Sequence, residues 1–480
     1  MLVSLQPQNS PCGLRHLRLL YASLRKELLP KLRNSLQRLI LISELGNYKI
    51  KRGQIMKAFF TVFVLSLYLC GAAGAADNGF IKKGDLLTVD RCVNIALKTH
   101  PSIVSSRSSF DAGRSRVGQA ESSYYPQFNL SSGYSRNYSG ATTAGNTYNQ
   151  YTNSATVSQN IYDFGKTSAQ VKVQELNSDA AKSDLENLSQ QITLNVRQAY
   201  YGLLQAIKNR AVAEDNVKQF EHHLEQAKGF FSVGTKPKFD VTKAEVDLSN
   251  ARLGLIKAQN AIKTAIAALN NSMGLPDAPE YTIEDDLSFK RYEVTFESAL
   301  NKALESRSDI KAAAAKRLSA EKALELAGKG YYPYLSGNAA YTRSAEKLPL
   351  KEGWNAGVTL TVPVFSGFLT KHQVDEAVAN HKAAKANEDL VKQNVFLEVQ
   401  QAFINLKEAE ERIPTAELAV KQALENLDIA NGRYSAGVGS PIEVTDAQAL
   451  HTNAKTAYIQ ALSDYKIARA AIDKAMGGVK

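Results

Sequence analysis

Glu443 and Asp446 are the acidic pair whose spacing most suggests chemistry. They stand three residues apart in GVGSPIEVTDA, Gly437–Ala447. That spacing places both carboxylates on one helix face, where together they attract cations. Acids in a helix's first turn also simply complement its dipole, and both readings stand on these residues alone. A near copy, VGTKPKFDVTKAE (Val233–Glu245), sets Asp240 opposite Glu443, Lys243 opposite Asp446 and Lys236 opposite Gly439. Gly234, Gly437 and Gly439 suit tight turns. Other chemistry is hard to find. His222 and His223 are adjacent and point to different sides of a helix, whereas a helical metal pair is usually four apart. Ser105, Ser106, Ser108 and Ser109 read as a helix surface. No nucleophile elbow, phosphate loop or paired-cysteine motif is present, so no enzyme, metal site or cofactor is expected.

The turn is written twice because the chain is a duplication. LTVDRCVNIALKTHPSI (Leu87–Ile103) matches VTFESALNKALESRSDI (Val294–Ile310), and YYPQFNLSSGY (Tyr124–Tyr134) matches YYPYLSGNAAY (Tyr331–Tyr341). LNVRQAYYGLLQA (Leu194–Ala206) matches LEVQQAFINLKEA (Leu397–Ala409). The first repeat spans 77–274, a Pro- and acid-rich connector 275–294 carries a short strand at Tyr281–Ile283, and the second repeat spans 295–480. Each repeat reads as helix, two strands, long helix, turn, helix. Helices are predicted at about 88–121, 166–229 and 238–273, then at about 295–328, 369–432 and 441–475. Val395, Val399, Ala402, Leu406, Ala409 and Ile413 form one apolar stripe with coiled-coil spacing. Helices of roughly 60 residues, about 90 Å long, suggest a rod or a tube. Pro414 predicts a local kink.

The strands, at about 126–138, 150–162, 333–343 and 354–365, alternate apolar and polar residues. Trp354, Ala356, Val358, Leu360, Val362 and Val364 alternate with Asn355, Gly357, Thr359 and Thr361, which gives one apolar and one polar face. A soluble sandwich also alternates in this way. The strand lengths suit a tilted bilayer crossing, and the Ser/Thr/Asn/Gly face suits a wet lumen. Tyr124, Tyr125, Tyr331 and Tyr332 fall at strand ends, where interface aromatics belong. Four strands cannot close a barrel, and lipid forbids an open edge. Three copies supply twelve strands, an even number in the usual range.

Composition is that of an average soluble protein, with 44% hydrophobic and 22% charged residues. The net charge of +11 is concentrated at the start: residues 1–55 alone carry +8, and only +2 remains beyond Ala76. No basic patch for nucleic acid is expected on the folded part. MKAFFTVFVLSLYLCGAAGAAD, from Met56, has the basic start, short apolar run and small residues of a secretory signal. Residues 56–76 are therefore expected to be cleaved, and 1–55 to be a mis-assigned extension. Tyr68 and Leu69 are too bulky for lipoprotein processing at Cys70. Cys12 and Cys70 precede the cleavage site, so Cys92 alone survives and forms no intrachain disulfide.

The pattern resembles the TolC family of outer-membrane efflux proteins over about residues 80–475. The likeness rests on the duplicated helix–hairpin–helix plan and on local motifs: Ala96–Ile103, the two YYP entries, NIYDFG (Asn160–Gly165), VPVFSGF (Val362–Phe368) and the two turns. It implies an α+β membrane protein of duplicated helix–β-hairpin–helix repeats. A homotrimer would share a 12-stranded β-barrel in the outer membrane of a Gram-negative bacterium, with a long α-helical barrel in the periplasm. It implies a passive exit duct for efflux or type I secretion, served by a periplasmic adaptor (membrane fusion) protein and an inner-membrane pump of the RND or ABC type. It also implies that both turns lie at the narrow periplasmic end, with Glu443 and Asp446 forming acidic rings that favour cations. Asp240 would link neighbouring hairpins. The family's basic latch residue matches Gly439 here, while Lys236 holds the corresponding place in the first repeat. Two other classes share some of these features. A periplasmic adaptor would need soluble barrel or lipoyl-like domains, and a coiled-coil adhesin or structural rod would not need two matched β-hairpins.

Overall fold

The computed structural model describes residues 81–139 and 146–478. The expectations for the extension, the signal, Cys12 and Cys70 lie outside the described residues.

Each repeat opens with a helix that breaks. α1 (Val89–Thr99) and α2 (Pro101–Glu121) replace the single helix expected over 88–121, and α5 (Phe296–Ser306) and α6 (Ser308–Gly328) replace that over 295–328. In the first repeat Pro101 explains the break, because it removes an N–H and pushes His100 to extended backbone. In the second, Arg307 is extended with no proline after it, so tertiary contacts set the break. Both breaks are clamped alike. Thr99 Oγ1 donates to Met273 O, and Ser306 Oγ donates to Met476 O, each at 2.6 Å. The glycine after each methionine is left-handed, with φ +73° at Gly274 and +94° at Gly477. A Cβ on Gly274 would lie 2.7 Å from His100 Cα.

The long hairpins follow. α3 (Lys166–Ser232) turns into α4 (Lys238–Met273), and α7 (Leu369–Ser435) turns into α8 (Pro441–Ala475). α3 and α7 each hold 67 residues, about 100 Å of helix, and α7 continues through Pro414 as one helix. The apolar stripes are their cores: Val395, Val399, Leu406, Ala409 and Ile413 in the second repeat, Ile192, Val196 and Leu203 at matching places in the first. Separate smaller cores hold the tips.

β1 (Leu86–Leu87) pairs in parallel with β4 (Thr282–Ile283) of the connector, and Tyr200 of α3 fixes that pair by donating to Glu284 O at 2.8 Å. The remaining strands are β2 (Gln127–Ser139), β3 (Asn146–Tyr162), β5 (Tyr334–Ala345) and β6 (Lys351–Thr361). They form one antiparallel sheet in the order β2-β3-β5-β6. β6 ends at Thr361, short of the 365 expected, because Pro363 cannot donate to a ladder. Among the described residues no helix is long and apolar enough to cross a membrane.

Candidate functional site: an uncovered sheet face and the hairpin tips

The sheet register gathers the apolar residues onto one side. Phe128 faces Val157, which faces Ala339, which faces Ala356; the next row is Leu130, Ala155, Tyr341 and Trp354. Directly paired residues share a face. The other face is polar, with rows such as Asn129, Thr156, Ala340 and Asn355, and Ser131 bonded to Ser154 across strands at 2.6 Å. Among the described residues nothing covers the apolar side. Leu130 is 78% exposed and Trp354 80%, far from the burial such residues have in a sandwich. Tyr124, Tyr125, Tyr331 and Tyr332 are exposed at the short helical turns leading into β2 and β5, and Phe164 stacks on Tyr332.

At the opposite end the two tips meet. Gly234 (φ +75°) and Gly437 (φ +79°) take left-handed turns that L side chains adopt poorly. Gly439 is demanded by close approach instead: a Cβ there would lie 2.7 Å from Tyr434 N. The packed loop presents its carbonyls to the first hairpin, and Lys236 Nζ donates to Gly439 O at 3.2 Å and reaches Gly437 O at 3.5 Å. The same ammonium lies 5.7 Å from the Tyr434 ring centroid. A second bridge joins α8 to α4, where Thr445 Oγ1 donates to Asp247 at 2.9 Å. Lys243 grips both Asp247 oxygens at 2.7 Å. Spacing of i,i+4 is the only sequence sign of that pair.

The two acids differ in their surroundings. Glu443 forms an ion pair with Arg433 of its own hairpin, N to O 3.1 Å. Asp446 is exposed and has no ionic partner among the described residues. Asp240 is buried at the start of α4, and its side chain forms no hydrogen bond to the second hairpin; Lys236 makes that contact. Sequence reasoning missed Arg433, Asp247, Thr445 and Tyr434. Tyr434 is the repeat partner of Phe231, yet it is buried while Phe231 is exposed. Burial, with the Asp240 charge added, pushes its phenol up.

These features define a class: a protein with an apolar sheet face left uncovered at one end and long helical hairpins that carry a polar tip away from it, as outer-membrane channels have. The chain belongs to the outer membrane efflux protein family, whose profile matches residues 92–275 and 299–478, one segment per repeat. It is 24% identical over 425 residues to the outer membrane protein TolC of Escherichia coli, covering 84% of this chain and 85% of the relative. Its fold resembles that of CusC (TM-score 0.74, 17% identity, 85% of this chain and 96% of that one). The CmeC outer membrane channel of Campylobacter jejuni is also similar (TM-score 0.73, 20% identity, 81% and 85%). The protein is an outer-membrane channel for efflux or secretion.

Proposed function

We propose that three copies of this chain form a passive exit duct whose inner end is closed by the hairpin tips. An inner-membrane pump would drive it, joined through a periplasmic adaptor. The observation that carries this reading is the four-stranded sheet with an uncovered apolar face and two unpaired edges, β2 and β6. In lipid those edges must be paired. The four strands alternate in direction, so β6 of one copy meets β2 of the next antiparallel, and three copies close twelve strands. The row Ser132, Asn153, Arg343 and Glu352 interrupts the apolar side toward the β5–β6 turn and would end the lipid-facing band there. The four tyrosines would lie at the opposite rim of that band, where rings with one wet end are favoured.

Val358→Arg is expected to cost about 2–4 kcal/mol per chain if this face meets the bilayer interior, and to deplete the detergent-stable trimer in outer-membrane fractions. Thr359→Arg, one residue on and facing the lumen, should leave it nearly unchanged. A mature protein that is monomeric and soluble without detergent overturns the reading.

In the same reading Lys236 takes over the role of the latch, joining the two hairpins of one chain. Charge-assisted hydrogen bonds contribute about 1.5–3 kcal/mol, and solvent at the tip reduces this to about 1 kcal/mol. Lys236→Met is therefore expected to raise the open fraction of the reconstituted channel about fivefold, read as resting conductance in planar bilayers.

A further inference from the structure

The seam between the two tips contains two buried polar groups that the described chain leaves unsatisfied. His223, on α3, is 5% exposed, and its Nε2 has no hydrogen-bond partner. Tyr434, on α7, is fully buried, and its hydroxyl is likewise unpaired. The two rings lie 4.9 Å apart, and Phe230 meets Tyr434 edge-on at 5.5 Å. His223 also lines a cavity of about 260 Å³ between α3, α7 and α8, among Gln219, Gln226, Asn431 and Gln448. The pair occurs once per chain. The repeat partners of His223 and Tyr434 are Asn426 and the exposed Phe231. A buried imidazole whose Nε2 finds no partner among the described residues thus sits where one hairpin tip rests on the other.

We propose that His223 is a proton-operated wedge in this seam, whose charging in a mildly acidic periplasm parts the two hairpin tips and shifts the channel toward its open form. This rests on the tips being the closed end of the duct.

A neutral imidazole tolerates the aromatic contact, but an imidazolium must regain water or a carboxylate. The groups facing it come from four helices. α3 adds the charge of the neighbouring His222, which points to another side; α4 supplies Asp240, Lys243 and Asp247; α7 supplies Tyr434; and α8 supplies Val444 and Gln448, which do not titrate. Lys236, from the first turn, stands over the far partner, Tyr434. Burial acts most strongly and holds the imidazole below its ordinary value, against the pull of Asp247 and Asp240, while Lys243 and His222 push with burial. Asp247 is already committed to Lys243 and Thr445, which leaves it little freedom to follow a new charge.

The sign follows from linkage. The closed seam binds fewer protons at His223 than an open one, where the ring meets water. Closure is fully supported above the solvated imidazole value of about 6.5 and weakens as pH falls below it. In the limit of no protonation while closed, the open-to-closed ratio rises about tenfold per chain by pH 5.5.

The test uses the full mature protein, reconstituted in planar bilayers and compared at about pH 7.5 and 5.5. Wild type should gain several-fold in resting conductance at the lower pH, His223→Gln should stay flat, and Glu443→Gln with Asp446→Asn should keep the gain. A gain of the same size in His223→Gln, or one abolished only by the acid-pair variant, overturns the proposal. Hydrogen exchange of the wild-type protein keeps the test independent of any variant. After correction for intrinsic rates, amides around 229–241 and 432–445 should lose protection between those pH values, and unchanged protection overturns the wedge. No conductance at either pH alongside a clear loss of protection supports the wedge and counts against the duct.

Discussion

Glu443→Gln combined with Asp446→Asn is expected to leave the trimer intact while raising the concentration of a multivalent cation needed for half-block about a hundredfold. That factor corresponds to about 2.7 kcal/mol of lost attraction, a modest demand on six carboxylates if the proposed trimer gathers them in a narrow opening. The structure divides the effect unequally. Arg433 holds Glu443 at 3.1 Å and cancels much of its field, whereas Asp446 is exposed with no ionic partner among the described residues. Asp446→Asn alone should therefore weaken block more than Glu443→Gln alone. Arg433→Gln should tighten block by freeing the first carboxylate. Single-channel titration from the periplasmic side reads all four variants. Equal block in wild type and in the double variant would remove both acids from the pore lining and leave them as partners of a helix dipole.

Arg307→Ala is expected to cost about 2–3 kcal/mol of stability, because it removes a buried cation and its charge-assisted hydrogen bonds while its carboxylate partners stay partly solvated. Arg307 is 4% exposed at the break between α5 and α6. It donates to Asp309 at 3.0 and 2.6 Å, to Glu398 at 2.7 Å and to Ala475 O at 3.1 Å. Lys474 holds the other Glu398 oxygen at 2.6 Å. Burial pushes both carboxyls up, but the cationic hydrogen bonds outweigh it and hold them below their ordinary values. Depressed carboxyls contribute stability above their unfolded values near 3.8 and 4.5, and that contribution disappears as pH falls through the folded ones. The gap between wild type and variant should thus be full at neutral pH and narrow below about pH 4. Urea midpoints of the helical signal in detergent check both statements. A triple variant, Arg307→Met with Asp309→Asn and Glu398→Gln, should recover most of the loss.

The helix breaks mark the limit of what local signals tell. Pro101 announces the first break in one residue. The second has no such announcement, because what bends the chain at Arg307 is a set of partners 91 and 168 residues away. The end of β6 follows the same logic in reverse. The alternation runs on through Val362 and Val364, but a single missing N–H at Pro363 stops the ladder. At the tips, the need for glycine at 234 and 437 is visible in the turn itself, whereas Gly439 is explained only by the backbone of Arg433 and Tyr434 pressing against it.

The sequence by itself determined the duplication, the order of helices and strands, the apolar stripes of α3 and α7, and the greasy side of the sheet. Each of these is a periodicity, and a periodicity records which face of an element avoids water. Tertiary structure alone decided what lies across from each face. It buried Tyr434 while leaving its repeat partner Phe231 in the open, carried Lys236 onto the carbonyls of the other hairpin, and gave an ionic partner, Arg433, to one of two neighbouring acids. The physical reason is that two copies of one local pattern are equivalent until they pack against each other. Only that contact, made between residues some two hundred positions apart, breaks the symmetry and gives the tips their chemistry.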